Sequence, residues 1–152
     1  MGLVRFIAEA FSRFAKRSSN SSSSADADPR NALGRRGEDA AAKYLRRNGC
    51  KVLYRNFKAL HEGEVDIVCR DGDTLVFVEV KTRTSDAFGE PVEAVTKSKQ
   101  RLITRGALAW LRLLDNPEIL IRFDVAEVRI TGRKLEVSLI KNAFPLPEPY
   151  RY

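Results

Sequence analysis

Gly63-Glu64-Val65-Asp66-Ile67-Val68-Cys69-Arg70, a turn of Asp71-Gly72-Asp73, and then Thr74-Leu75-Val76-Phe77-Val78-Glu79-Val80-Lys81-Thr82 is the stretch that decides the fold. Two runs rich in β-branched residues flank an Asp-Gly turn, which is the pattern of a β-hairpin. The second run is apolar from Leu75 to Val78, as expected of a central strand covered on both faces. Glu79 and Lys81 then interrupt it. Side chains two positions apart along a strand share a face. Glu64 and Asp66 are therefore expected on one face, with Glu79 and Lys81 beside them on the neighbouring strand. Val65, Ile67, Val78 and Val80 are expected to turn the other way, into the core. Adjacent strands lie about 4.8 Å apart, so the charged groups would meet across the sheet.

Such a cluster is unfavourable by itself. Like charges opposite each other destabilise a sheet, and a carboxylate at the edge of a core loses hydration. Lys81 offsets only one of the negative charges of Glu64, Asp66 and Glu79. A divalent cation would supply the rest, and magnesium or manganese suits carboxylate and water oxygens. The Val80 carbonyl is a further candidate ligand. A cation held there would activate water and stabilise charge on a phosphate. Lys81 would hold or help deprotonate that water. A bare Glu-x-Lys is common on solvated strands. The apolar run before Glu79 and the second acid pair at Glu64 and Asp66 set this one apart.

Outward from the hairpin, the remaining elements follow from periodicity and punctuation. Asn31 is expected to cap a helix running through Asn48, with Leu33, Ala40, Ala41, Tyr44 and Leu45 inward and Gly49 closing it. Residues 51–58 read as a strand, His61–Gly63 as a turn, 64–70 and 74–82 as the hairpin, and 83–90 as a polar loop. A long helix is expected over 93–114, ended by Asn116-Pro117. Strands at 119–130 and 134–140 join through Thr131-Gly132. The order α-β-β-β-α-β-β predicts an α/β fold, a mixed sheet flanked by helices. Before this domain (31–144), residues 1–17 read as a basic amphipathic segment and 18–30 as a flexible Ser-rich linker. Residues 145–152 form a Pro-rich tail.

Gly63-Glu-Val-Asp66 followed by Phe77-Val-Glu-Val-Lys-Thr-Arg83 resembles the PD-(D/E)XK nuclease signature. The chain is most similar to the YraN family, small bacterial proteins related to archaeal-type Holliday junction resolvases. Gly34-Arg-Arg-Gly-Glu38, Arg55-Asn-Phe57, Phe88-Gly89, Lys99-Gln100, Phe123-Asp-Val125 and Asn142-Ala-Phe144 extend the likeness over about 34–144. Val65 stands where the wider signature has proline. The resemblance implies a restriction-endonuclease-like fold and metal-dependent cleavage of nucleic acid, branched DNA included. It implies Asp66 and Glu79 as metal ligands, Lys81 as the catalytic lysine, and Glu38 as the first-helix glutamate that positions metal or water. Glu64 would be an auxiliary ligand, and Gln100 would approach from the second helix. For Asp124, a structural hydrogen bond accounts for its presence as well as catalysis does.

Composition agrees without deciding. The 152 residues carry a net charge of +7, of which the first thirty hold five basic against three acidic side chains. A basic domain favours a polyanionic partner, with DNA ahead of RNA. Arg35, Arg36, Arg55, Arg83, Lys97, Lys99 and Arg101 are candidate phosphate contacts, and Gln100 lies among them. A homodimer would suit a two-fold junction, although no dimer signature is present. Cys50, Cys69 and the single His61 are too few and too scattered for a Cys/His zinc site. The two thiols are expected reduced, in the cytoplasm. Trp110 is expected in the core. No stretch is apolar enough for a membrane span. Two alternatives to an enzyme stay open: a nucleic-acid-binding module with the same fold but little catalysis, and a protein-interaction factor.

Overall fold

The computed structural model describes residues 28–60, 63–84 and 95–147. The expected N-terminal segment over 1–17, most of the linker, His61, Phe88-Gly89 and the end of the Pro-rich tail lie outside the described residues. The element order is α1 (Pro29–Arg47), β1 (Lys51–Ala59), β2 (Gly63–Asp71), β3 (Thr74–Thr84), α2 (Lys97–Leu113), β4 (Leu120–Thr131) and β5 (Lys134–Ile140). This is the α-β-β-β-α-β-β arrangement that the sequence predicts.

Helix α1 starts earlier than expected. Asp28 caps it, accepting the Arg30 N–H at 2.9 Å, and Pro29 fills the first position, where no N–H is needed. Asn31 lies inside the helix. Asp28-Pro29 combines both start preferences, which Asn31 alone does not. Gly49 ends the helix at φ +87, as expected of a glycine beyond the last turn. Helix α2 is capped by Thr96, whose hydroxyl accepts the Lys99 N–H at 3.2 Å. Its start at Lys97 corrects the expected start at 93: Val95 and Thr96 precede the helix.

The five strands form one sheet in sequence order. All neighbours are antiparallel except β3 and β4, which run parallel and are joined through α2. Two cores result, one on each face. Helix α1 lays Ala41, Ala42 and Leu45 over Ile67, Cys69, Val76, Val78, Ala126 and Val128. On the other face Ile103, Ala107, Trp110 and Leu111 of α2 cover Phe57, Val68, Leu75, Phe77, Phe123 and Val125. Trp110 is core, as expected, with its ring 5.2 Å from Phe57 and 5.4 Å from Tyr54. Such ring pairs add about 0.5–1.5 kcal/mol each beyond burial.

Glycines set how closely the helices approach. A Cβ at Gly37 would overlap the Thr82 hydroxyl, so α1 rests directly on β3. A Cβ at Gly106 would come within 3.0 Å of the Glu64 backbone, so α2 rests directly on β2. Both contacts fall at the acidic end of the hairpin.

Asp124 is buried and takes Arg122 in a two-pronged pair at 2.8 and 2.9 Å. It also accepts the Asn142 N–H at 2.9 Å, while Arg122 reaches on to Asp71 at 2.9 Å. This assigns Asp124 the structural hydrogen-bonding role. It fixes the turn after β5, where Ala143 N–H donates to Phe123 C=O and Phe144 stacks on Phe123.

Candidate active site

The hairpin opens where its acids begin. Strands β2 and β3 are paired from Asp71↔Thr74 to Ile67↔Val78. Beyond that point β2 stays on β1 as far as Gly63, and β3 stays on β4 as far as Thr84. The two central strands therefore fork. Asp66 sits in the fork and its Oδ2 accepts the Val80 N–H at 2.8 Å. A carboxylate thus takes the place of a ladder bond and satisfies a donor the fork would strand.

The fork also disturbs the expected alternation. Val65 packs beneath α2, whereas Ile67, Val78 and Val80 pack beneath α1. The expectation of one shared face for these three valines and one isoleucine is therefore corrected. The break coincides with Asn56 on β1, which has a φ of 54 and lies between the pairs Arg55↔Ile67 and Phe57↔Val65. Asparagine is among the few side chains that tolerate this left-handed region.

Asp66 and Glu79 face each other across the fork, near enough for each to act on the other's ionisation. Glu79 is only 8% exposed. Burial, then the negative charge of Asp66, pushes its carboxyl up to about 8. Burial also raises Asp66, against the opposing pull of the Val80 N–H. Two acids this close in a desolvated site each raise the cost of ionising the other. Glu79 Oε2 is buried and has no hydrogen-bond partner among the described residues.

Glu38 reaches this site from α1, carried there by the Gly37–Thr82 contact. Its carboxyl is raised chiefly by burial, with the charge of Asp66 adding, while a hydrogen bond from the Asn56 side chain opposes the rise. From the opposite face comes Lys99. Its Nζ donates to Glu64 Oε1 at 2.8 Å and lies 3.5 Å from Glu79 Oε1. The Lys99 bond holds Glu64 below the usual carboxylate range. Lys81 is half-buried two positions beyond Glu79, in register with Glu127 of β4.

The sequence candidates thus separate. Glu38, Glu64, Asp66, Glu79 and Lys99 converge on the fork. Arg55 borders the site, with its guanidinium on Asp39 at 2.7 Å and 3.9 Å from Glu38. Gln100 donates to the Val95 carbonyl at 2.8 Å and so anchors the approach to α2. Arg35 and Arg36 are exposed on α1, and Arg83 is half-buried near the end of β3. Beside Lys99, an open groove of about 410 Å³ is lined by Thr96, Ser98, Arg101, Leu102 and Arg105.

Sequence reasoning missed two side chains here. Asn56 positions Glu38, and only its place in Arg55-Asn-Phe57 hinted at it. Glu127 is buried beside Lys81 with Oε1 lacking a hydrogen-bond partner among the described residues. An acid inside the apolar run Val125-Ala126-Glu127-Val128 was the available sign.

The donor set suits a hard cation in part. Asp66 and Glu79 offer adjacent carboxylates, and the orphaned Glu79 Oε2 lacks a positive partner. Among the described residues, however, no three His, Cys, Asp or Glu side chains converge to enclose an ion unaided. Glu64, the expected auxiliary ligand, is engaged by Lys99. Magnesium commonly takes one or two carboxylates and keeps several waters, so a pair of acids with the Val80 carbonyl fits that habit.

Comparison with known proteins gives a consistent family. The model of the uncharacterised protein family UPF0102 matches residues 37–128. A UPF0102 protein of Geobacter metallireducens is 48% identical over 114 residues, covering 75% of this chain and 93% of the relative. One from Geobacter sulfurreducens is 50% identical over 115 residues, covering 75% and 89%. One from Caldicellulosiruptor saccharolyticus is 45% identical over 114 residues, covering 74% and 96%.

Proposed function

The chain belongs to the uncharacterised protein family UPF0102, the YraN family, and from that premise we propose that it is a metal-dependent endonuclease acting on nucleic acid. One observation carries the reading: Asp66 and Glu79, from strands that fork apart, stand together in a desolvated site where Glu79 is 8% exposed and its Oε2 has no hydrogen-bond partner among the described residues, with Lys81 two positions further on. A fold gains nothing structural by burying two carboxylates against each other.

Asp66, Glu79 and the Val80 carbonyl would hold magnesium or manganese, with Glu38 and Glu64 close by. The bound cation would lower the pKa of a coordinated water and draw charge from a phosphate oxygen. Lys81 Nζ would donate to that phosphate or orient the water. Glu38 would hold a proton or a water on the side opposite Lys99. The groove lined by Lys99, Arg101 and Arg105 supports a path for the phosphate backbone, read without base contacts. DNA is the proposed substrate ahead of RNA, and branched DNA its first form to try. Buried free thiols at Cys50 and Cys69 fit a reducing compartment such as the cytoplasm. No helix among the described residues is long and apolar enough to cross a membrane.

A nucleic-acid-binding module with the same fold is the rival, favoured by the engagement of Glu64 and Glu79 with Lys99. Cleavage of branched, single-stranded and duplex DNA with and without manganese separates the two. The enzyme reading expects manganese-dependent cutting that Asp66→Asn, Glu79→Gln and Lys81→Ala each lower by about 100-fold or more. Cutting that survives Asp66→Ala and Glu79→Ala would sink the site assignment. Salt-sensitive binding without cutting would favour the rival.

A further inference from the structure

We infer that Lys99 is an exchangeable counter-ion: its ammonium pairs with Glu64 and stands beside Glu79 in the metal-free protein, and an entering divalent cation displaces it into the neighbouring phosphate groove. The inference rests on the metal-site reading above and concerns the order of events within it.

The geometry places Lys99 between two environments. Its Nζ is 2.8 Å from Glu64 Oε1 and 3.5 Å from Glu79 Oε1. The same side chain lines the groove with Arg101 and Arg105. Lysine carries a compact charge on a long flexible stem, so it can move between them without moving the helix. Its backbone is fixed meanwhile, since the Lys99 N–H is tied to the Thr96 cap.

A cation bound by Asp66 and Glu79 cannot share that space with an ammonium. Ligand oxygens lie about 2.1 Å from magnesium, and the ammonium already stands 3.5 Å from Glu79 Oε1. Two positive centres so close in a desolvated fork repel strongly. Lys99 must leave. Its departure also frees Glu64, whose Oε1 it holds at 2.8 Å in the present arrangement. The released ammonium then has the groove to enter, where a phosphate would hold it. The exchange thus links cation entry to the readiness of the phosphate contact. It also keeps the acids apart from one another's full repulsion until the cation arrives.

Calorimetric titration with manganese alone tests this on the full chain. Lys99→Gln is expected to bind manganese about tenfold more tightly than the wild type, Lys99→Arg no more tightly, and Asp66→Asn to abolish binding in either background. A second measurement needs no variant: the Lys99 Nζ resonance, followed by NMR, is expected to shift on saturation with magnesium. Equal or weaker binding by Lys99→Gln, with Asp66→Asn still abolishing it, overturns the exchange and leaves the metal site standing. An unmoved Lys99 resonance at saturating magnesium overturns the exchange likewise. Failure of both wild type and Lys99→Gln to take up manganese, or indifference to Asp66→Asn, overturns the metal-site reading itself.

Discussion

At the scale of single residues, the burial of Glu79 beside Asp66 has a thermodynamic consequence. The Glu79 carboxyl is raised to about 8 by burial and by Asp66. A raised folded-state value means that the folded chain binds the proton more tightly than the unfolded chain. The associated stability is fully present below the unfolded value near 4.5 and is lost as pH rises through about 8. Glu79→Gln mimics the protonated form and should remove that loss. In metal-free buffer, urea unfolding should show the variant gaining on the wild type between about pH 5 and pH 9, by an amount on the order of 1–2 kcal/mol. A constant difference across that range would show that Glu79 ionises normally. Asp124 contributes through its hydrogen bonds instead. It is buried and paired, so Asp124→Ala leaves Arg122 with Asp71 alone and the Asn142 N–H without its acceptor, and should cost about 1–3 kcal/mol in thermal or urea unfolding. Asp124→Asn retains an acceptor for the Asn142 N–H and should cost less. No loss in either variant would dismiss the network as a stabilising feature.

At the scale of elements, the fork is built by contacts that admit no side chain. Gly106 brings α2 onto the Glu64 backbone, and Gly37 brings α1 onto Thr82. Gly106→Ala places a methyl within 3.0 Å of the Glu64 backbone, and Gly37→Ala drives one into the stiff Thr82 side chain. Each should destabilise by about 1–3 kcal/mol, read as a shift of the urea midpoint. Gly34→Ala is the control: an added Cβ there meets nothing within 4 Å, and alanine favours a helix by up to about 1 kcal/mol over glycine. If all three variants behave alike, close approach is not what the first two glycines provide.

At the scale of the whole molecule, the basic surface predicts how nucleic acid would be held. Each phosphate neutralised contributes roughly −0.9 to the slope of log binding constant against log salt on duplex DNA. Arg101→Ala and Arg105→Ala, both beside the groove, should each flatten that slope by about one and weaken all sequences alike. Fluorescence anisotropy across a salt series measures it. A slope near zero for the wild type would remove nucleic acid from consideration as the partner.

The hairpin, the order of elements, the Gly49 stop and the core role of Trp110 were legible in the sequence. They follow from local periodicity and turn chemistry, which neighbouring residues determine among themselves. The acids Asp66 and Glu79 were legible too, because charge inside an apolar run stands out against strand alternation. What alternation could not reveal is the fork itself. It depends on Asn56 at positive φ, on Asp66 taking the Val80 N–H, and on two helices closing from opposite faces through Gly37 and Gly106. Those helices also bring Glu38 and Lys99, far apart along the chain, to the same fork from its two faces. No local pattern encodes such a meeting, because it arises only when both faces of the sheet are packed at once.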